Sequence, residues 1–178
     1  AGQTSIQVPL ARDGSRWVMD FEALQNAVDD YSPGKPRVLL LSNPQNPTGR
    51  AYTKAELTML ADFCLRNDLT LCSDEIHCPI LLDENCRHTP IASLYPEIAE
   101  RTVSLFSPTK TYNIPGLPCA VAVIPDPGLR RAFVQAEAGL LPNISPLAYT
   151  ASAAAFADEG DYVPELLAYL RGNRDRLG

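Results

Sequence analysis

An α/β fold on a mostly parallel sheet is predicted by two observations. Short apolar runs, "RVLLLS", "LTLCSDEI" and "RTVSLFS", alternate with segments of helical periodicity, the pattern of strands joined by helical crossovers. Each run also stops at a polar cluster: "NPQNPTG", "SDEIH" and "SPTK". Open parallel sheets bind ligands outside the carboxyl ends of their strands. Three chemically different clusters are therefore expected to converge on one sheet edge.

In chain order, "SIQVPL" (5–10) alternates like a strand, and "MDFEALQNAVDDY" (19–31) reads as a helix capped by Asp20 and ended by the Pro-Gly pair of "YSPGKPR". "RVLLLS" (37–42) is continuously apolar, as a strand buried on both faces would be. The loop "NPQNPTGR" leads to the clearest helix, "TKAELTMLADFCLRNDL" (53–69). There Thr53 and Glu56 form a capping box, and Leu57, Leu60, Ala61 and Cys64 recur at i, i+3, i+4 and i+7. "LTLCSDEI" (69–76) is a second buried strand, and "IASLYPEIAER" (91–101) a short helix after a looser stretch. "RTVSLFS" (101–107) and "CAVAVIP" (119–125) are further strands with no helix between them, which predicts that the last runs antiparallel. "DPGLRRAFVQAEAG", "SPLAYTASAAAFADEG" and "YVPELLAYLRGNRDRL" complete the chain as helices. The whole is expected to be a three-layer α/β/α arrangement.

Bulk properties narrow the function. The 178 residues suffice for a core, and 46% hydrophobic with 20% charged residues is ordinary for a globular protein. A net charge of −6 argues against a nucleic-acid surface, which needs clustered Lys and Arg. No run approaches the roughly 18 apolar residues of a membrane span, and "AGQTSIQVPL" lacks the basic and apolar regions of a signal peptide. Five cysteines without CxxC spacing read as reduced thiols of a cytoplasmic protein. Cys72, His77, Cys78, Cys86 and His88 cluster in sequence, but their spacings match no tetrahedral zinc pattern. The basic residues of "RGNRDR" alternate with acid and read as a solvated helix face.

The chain has three lysines. Lys35 and Lys54 read as solvated charges, whereas Lys110 follows the apolar run "TVSLF". A lysine at a strand end is a nucleophile if partial burial supplies neutral amine. A carboxylate such as Asp74 can hold a pyridinium nitrogen protonated, Asn46 can donate to a phenolic oxygen, and Ser107 to a phosphate. These are the partners that pyridoxal 5′-phosphate needs.

"NPxNPTG", "SDEIH" and "SPTKTxNIxGL", in that order, resemble fold-type I pyridoxal-phosphate enzymes of the class I/II aminotransferase superfamily, with "DEIH" pointing to the cystathionine β-lyase (C–S lyase) branch of the MalY and PatB type. The resemblance implies that Lys110 binds the cofactor aldehyde and later moves the substrate Cα proton. Asp74 pairs with the pyridine nitrogen, and Ile76, two residues on and so on the same strand face, packs against the ring. Asn46 hydrogen-bonds the 3′ oxygen, Ser107 contacts the phosphate, with Thr109 a second candidate, and Asn46–Pro47 is cis. His77 stands where many aminotransferases have Tyr, either as a cofactor neighbour or as a packed loop histidine. Pro118 replaces an Arg that binds phosphate in the general pattern. Glu75 is expected on the opposite face in a structural role, and Tyr112 in packing.

The implied reaction is α,β-elimination on an L-cysteine S-conjugate such as cystathionine, giving pyruvate, ammonia and a thiol, with an aminotransferase as the alternative. The family's usual chain is longer. Residues 1–160 are thus expected to be the central part of a cofactor-binding large domain, and 161–178 the start of a connector helix toward a small C-terminal domain, within a homodimeric parent. Alone, the piece could instead be a non-catalytic fragment or interaction remnant.

Overall fold

The computed structural model describes residues 4–30 and 37–177. The Pro-Gly turn expected at 31–36, with Lys35, lies outside the described residues. The chain divides into two compact units, Ala1–Arg37 and Val38–Gly178.

In the first unit, "SIQVPL" forms no strand. Alternation alone holds no extended segment, because a strand is kept by its pairing partner. The pairing falls just downstream, where β1 (Ala11–Asp13) and β2 (Arg16–Val18) form an antiparallel hairpin. Its two-residue turn begins at Gly14, whose φ of 58° requires a residue without a Cβ penalty. Across the hairpin, the Arg12 guanidinium lies 4.9 Å from the Trp17 ring centre. Helix α1 (Phe21–Asp29) begins as expected: Asp20 accepts a hydrogen bond from the Ala23 amide at 2.9 Å.

The second unit holds a sheet of β3 (Val38–Ser42), β4 (Thr70–Asp74), β5 (Thr102–Phe106) and β6 (Val121–Val123), in that spatial order. The first three strands are parallel and β6 is antiparallel to β5. Helix α2 (Lys54–Arg66) joins β3 to β4. Right-handed crossovers running in the same direction across a sheet put their helices on one face. The next connection obeys this, since α3 (Pro96–Ala99) contacts α2. The core on that side includes Leu57, Leu60, Phe63, Cys64, Leu71 and Ile98, all essentially inaccessible.

Two expectations need correction. The helix expected over 91–101 is a 3-10 turn at Ile91–Ser93 and the single-turn α3, separated at Tyr95, which is extended. Pro96 follows Tyr95, and the proline ring disfavours helical backbone in the residue before it. Strand β3 is buried on one face only, with Val38 57% and Leu40 78% exposed while Leu41 is buried. Among the described residues no element covers Leu40.

The remaining helices are α4 (Pro127–Glu137), α5 (Pro146–Phe156) and α6 (Tyr162–Leu177). Asp126 and Ser145 cap the first two, each followed by a proline whose missing N–H costs nothing in a helix's first turn. No helix among the described residues is long and apolar enough to cross a membrane.

Candidate active site

Strand register sets the site. Ser42 pairs with Asp74, and Asp74 with Leu105, so the chain leaves β3, β4 and β5 at one level of one edge. The three polar clusters therefore converge there, as the alternation of elements implies.

The first cluster is tied to the second by Asn43, which is buried. Its amide donates to the Asp74 carbonyl at 3.0 Å, and its Oδ1 accepts the Tyr52 amide at 3.1 Å. Beyond it the chain folds back on itself between Gln45 and Arg50, with Gly49 at φ 70° closing the turn. Asn46 lies exposed on this turn, and Asn46–Pro47 is cis, as is Asn43–Pro44. Arg50 reaches both Glu56 oxygens, at 2.6 and 2.7 Å, anchoring the loop to the first turn of α2.

Asp74 is half-buried at the end of β4, and its Oδ1 accepts the Ile76 amide at 3.2 Å. That bond turns the chain, so Ile76 lies in a turn over 76–79 and the alternation argument for its facing direction does not apply. His77 is in the same turn, half-buried, with its carbonyl accepting the Ile80 amide. Glu75 is fully buried and takes hydrogen bonds from Ser73 Oγ at 2.9 Å and His88 Nε2 at 2.7 Å, a structural arrangement as expected. Burial first, and then the Asp74 charge, push the Cys72 thiol up from its ordinary value.

In the third cluster Ser107 is buried. Its hydroxyl donates to the Cys119 carbonyl at 2.7 Å and sits 2.8 Å from Thr109 Oγ1. This bond crosses from the end of β5 to the approach of β6 and pins the lysine loop from below. Lys110 itself is exposed, contrary to the expectation of partial burial, since among the described residues nothing packs over it. Tyr112 has the packing role expected, stacking on Tyr162. A cavity of about 110 Å³ opens beside Ser107, lined among others by Cys78, Phe106, Thr111 and Phe156.

Some contributors escaped sequence reasoning. Arg171 and Arg174 of α6 donate to the Leu82 carbonyl at 3.0 and 3.1 Å, and Arg171 also pairs with Glu84. The "RGNRDR" face is thus partly docked on the loop after β4, not simply solvated. The i, i+3 spacing of the two arginines was the available signal.

The donor set is consistent with the cofactor. No ion pair among the described residues engages Asp74 or Lys110. A carboxylate without a counter-charge and an amine without an acid stand at one sheet edge with two adjacent hydroxyls. A ring cation, an aldehyde and a phosphate complement that set. Among the described residues no group of three or more His, Cys, Asp or Glu is arranged to hold a metal ion.

Comparison with known proteins agrees. A family model described as aminotransferase class I and II matches residues 1–178. Cystathionine beta-lyase PatB of Bacillus subtilis (strain 168) is 34% identical over 174 residues, covering 97% of this chain and 44% of the relative. The crystal structure of OvoB superposes with a TM-score of 0.91 at 39% identity, covering 99% of this chain and 45% of that one. Cystalysin from Treponema denticola, whose structure contains a pyridoxal 5′-phosphate cofactor, gives a TM-score of 0.88 at 26% identity, with 97% and 43% covered. The chain spans less than half the length of each.

Proposed function

The chain belongs to the aminotransferase class I and II family, and on that premise we propose that it forms the central part of the cofactor-binding domain of a pyridoxal-phosphate-dependent C–S β-lyase. Residues 1–160 belong to that domain and 161–178 begin the connector out of it, within a longer, homodimeric parent. The substrate class is an L-cysteine S-conjugate such as cystathionine. The observation that carries the reading is the convergence on one strand-end edge of Asp74 and Lys110, neither of them ion-paired among the described residues.

Lys110 is the covalent attachment point, Asp74 the partner of the pyridine nitrogen, and Asn46 the donor to the 3′ oxygen. Ile76 and His77 flank the ring, and the phosphate takes a hydrogen bond from the Thr109 hydroxyl, or from Ser107 once that hydroxyl turns from the Cys119 carbonyl to which it now donates. When bound, the cofactor supplies a cationic ring that accepts the electrons left by a departing Cα proton. Asp74 holds the proton on the ring nitrogen, because a carboxylate beside a cation favours the charged form. Lys110 Nζ would be the base that accepts the substrate Cα proton. The Cβ–S bond then breaks with its electron pair leaving on sulfur. Lys110, then an ammonium, would give that proton to the departing sulfur, so that with one water the S-conjugate yields a thiol, pyruvate and ammonia.

Borohydride reduction in the presence of cofactor, followed by peptide mapping, tests the reading. The label is expected at Lys110 and absent from Lys110→Ala, and a label at Lys54 or Lys35 overturns it. The family description also supports an aminotransferase with the same cofactor residues. Keto-acid formation that requires an added amino-group acceptor would favour that second reading over the lyase. The chain by itself is expected to release little or no pyruvate from cystathionine, and absence of any Lys110-dependent colour with cofactor would mark it as a non-catalytic fragment.

A further inference from the structure

Two carboxylates stand side by side at the end of β4, and among the described residues only Glu75 has side-chain partners. Glu75 is inaccessible to solvent, and its oxygens meet Ser73 Oγ at 2.9 Å and His88 Nε2 at 2.7 Å. Its amide donates to the Leu105 carbonyl at 2.9 Å, so backbone and side chain of this residue are both fixed. A buried carboxylate is tolerated only when paired, and an apolar residue would fill such a position at less cost. The arrangement therefore needs a reason other than stability.

Geometry supplies one. His88 lies thirteen residues along, and its ring closes the loop 76–87 back onto the strand end from which it departs. The other ring nitrogen, Nδ1, is buried and without a partner among the described residues, so the Glu75 contact is the ring's polar anchor. Arg171 and Arg174 hold the middle of the same loop through the Leu81 and Leu82 carbonyls. The Asp74 carboxylate, by contrast, accepts one hydrogen bond among the described residues, from the Ile76 amide at 3.2 Å, although its backbone is paired in the sheet. With residue 75 held through both its amide and its carboxylate, the backbone immediately after Asp74 is fixed.

We propose that Glu75 and His88 are positioning residues for the Asp74 carboxylate, an inference that rests on the reading of Asp74 as the partner of the cofactor ring. Neither touches the cofactor. They act by fixing the backbone from which Asp74 projects, in the way that supporting contacts orient a functional side chain held elsewhere.

Hydrogen exchange of the Ile76 amide in the cofactor-free chain reads this directly, because that N–H donates to Asp74. Glu75→Gln and, separately, His88→Gln are expected to speed exchange at Ile76 by about tenfold while leaving Leu57 in α2 unchanged. Glu75→Asp, which keeps the charge and shortens its reach, serves if the neutral variants do not fold. With pyridoxal 5′-phosphate added, reductive trapping is expected still to label Lys110 in these variants. The visible absorbance maximum should move in the same sense as in Asp74→Asn. Exchange at Ile76 equal to wild type, equal acceleration at Leu57, or an unmoved absorbance maximum overturns the inference. Failure of the wild-type chain to take label at Lys110 overturns the functional reading instead, and the exchange result alone then decides whether the pair holds Asp74.

Discussion

The ring of Tyr112 lies on the ring of Tyr162, centroids 5.3 Å apart and planes 14° from parallel. The loop that carries Lys110 is thereby held to the first residue of α6. Tyr112→Ala is expected to lose about 1 kcal/mol in urea unfolding, and Tyr112→Phe much less, since the stack survives. Burial, then the Asp158 charge and hydrogen bond, raise the Tyr112 hydroxyl above its ordinary 10.0. A raised group favours the folded state in its neutral form. Its contribution is complete below 10.0 and is lost as pH climbs through the raised value, so wild type and Tyr112→Phe should converge in stability only in strong alkali.

Asp74→Asn removes the only charge proposed to keep the cofactor ring protonated. In the full-length parent, turnover is expected to fall by about 10²–10³-fold, the scale seen when one preorganised electrostatic partner is lost. Trapping at Lys110 should persist. Pyruvate release and peptide mapping on the same preparation check the two halves, and unchanged turnover would sink the role given to Asp74.

The thiols should differ sharply in reactivity. Burial pushes Cys64 up to about 12, and burial followed by the Glu75 charge pushes Cys78 up to about 11. The thiolate is the nucleophile, so iodoacetamide should leave Cys64 unmodified in the folded chain up to about pH 9 and label it once urea is added. The linkage has the same sign as for the tyrosine: the neutral Cys64 thiol favours folding fully below 9.0, and that contribution disappears as pH rises through about 12.

Glu56 joins the capping box of α2 to the loop after β3. Burial tends to raise its carboxyl, but hydrogen bonds from Arg50 and Thr53 outweigh this and leave it below the ordinary 4.5. The contribution is present above 4.5 and vanishes as pH falls through the lowered value, so the stability gap between wild type and Glu56→Gln should close in acid. Thr53→Ala is expected to cost about 1 kcal/mol by urea titration at neutral pH, because the Glu56 amide loses its acceptor.

Much of this was legible from residue order. Helix α2 could be read because Thr53, Glu56 and its apolar stripe each carry a local signal, and the antiparallel β6 followed from a connection without a helix. The convergence of the three polar clusters on one sheet edge followed from parallel strands alone, whereas the buried tie made by Asn43 was not among the residues singled out. What escaped depends on distant partners. "SIQVPL" alternates, yet the pairing goes to Ala11–Asp13 because Gly14 opens a turn there. The apolar run at 38–41 says nothing about which face of the sheet is covered, and Leu40 stands exposed. The direction of Ile76 was lost to one hydrogen bond from its own amide, and the docking of Arg171 depends on a carbonyl some ninety positions earlier.

The adjacency of Asp74 and Glu75 makes strand alignment a chemical variable. Side chains along a strand switch faces at every residue. A slip of β4 by a single position would swap the two acids, offering the inward glutamate to the ligand side and leaving the aspartate, one methylene shorter, to meet His88. Fold and reactivity would then fail together, in a protein whose secondary structure looked intact by circular dichroism.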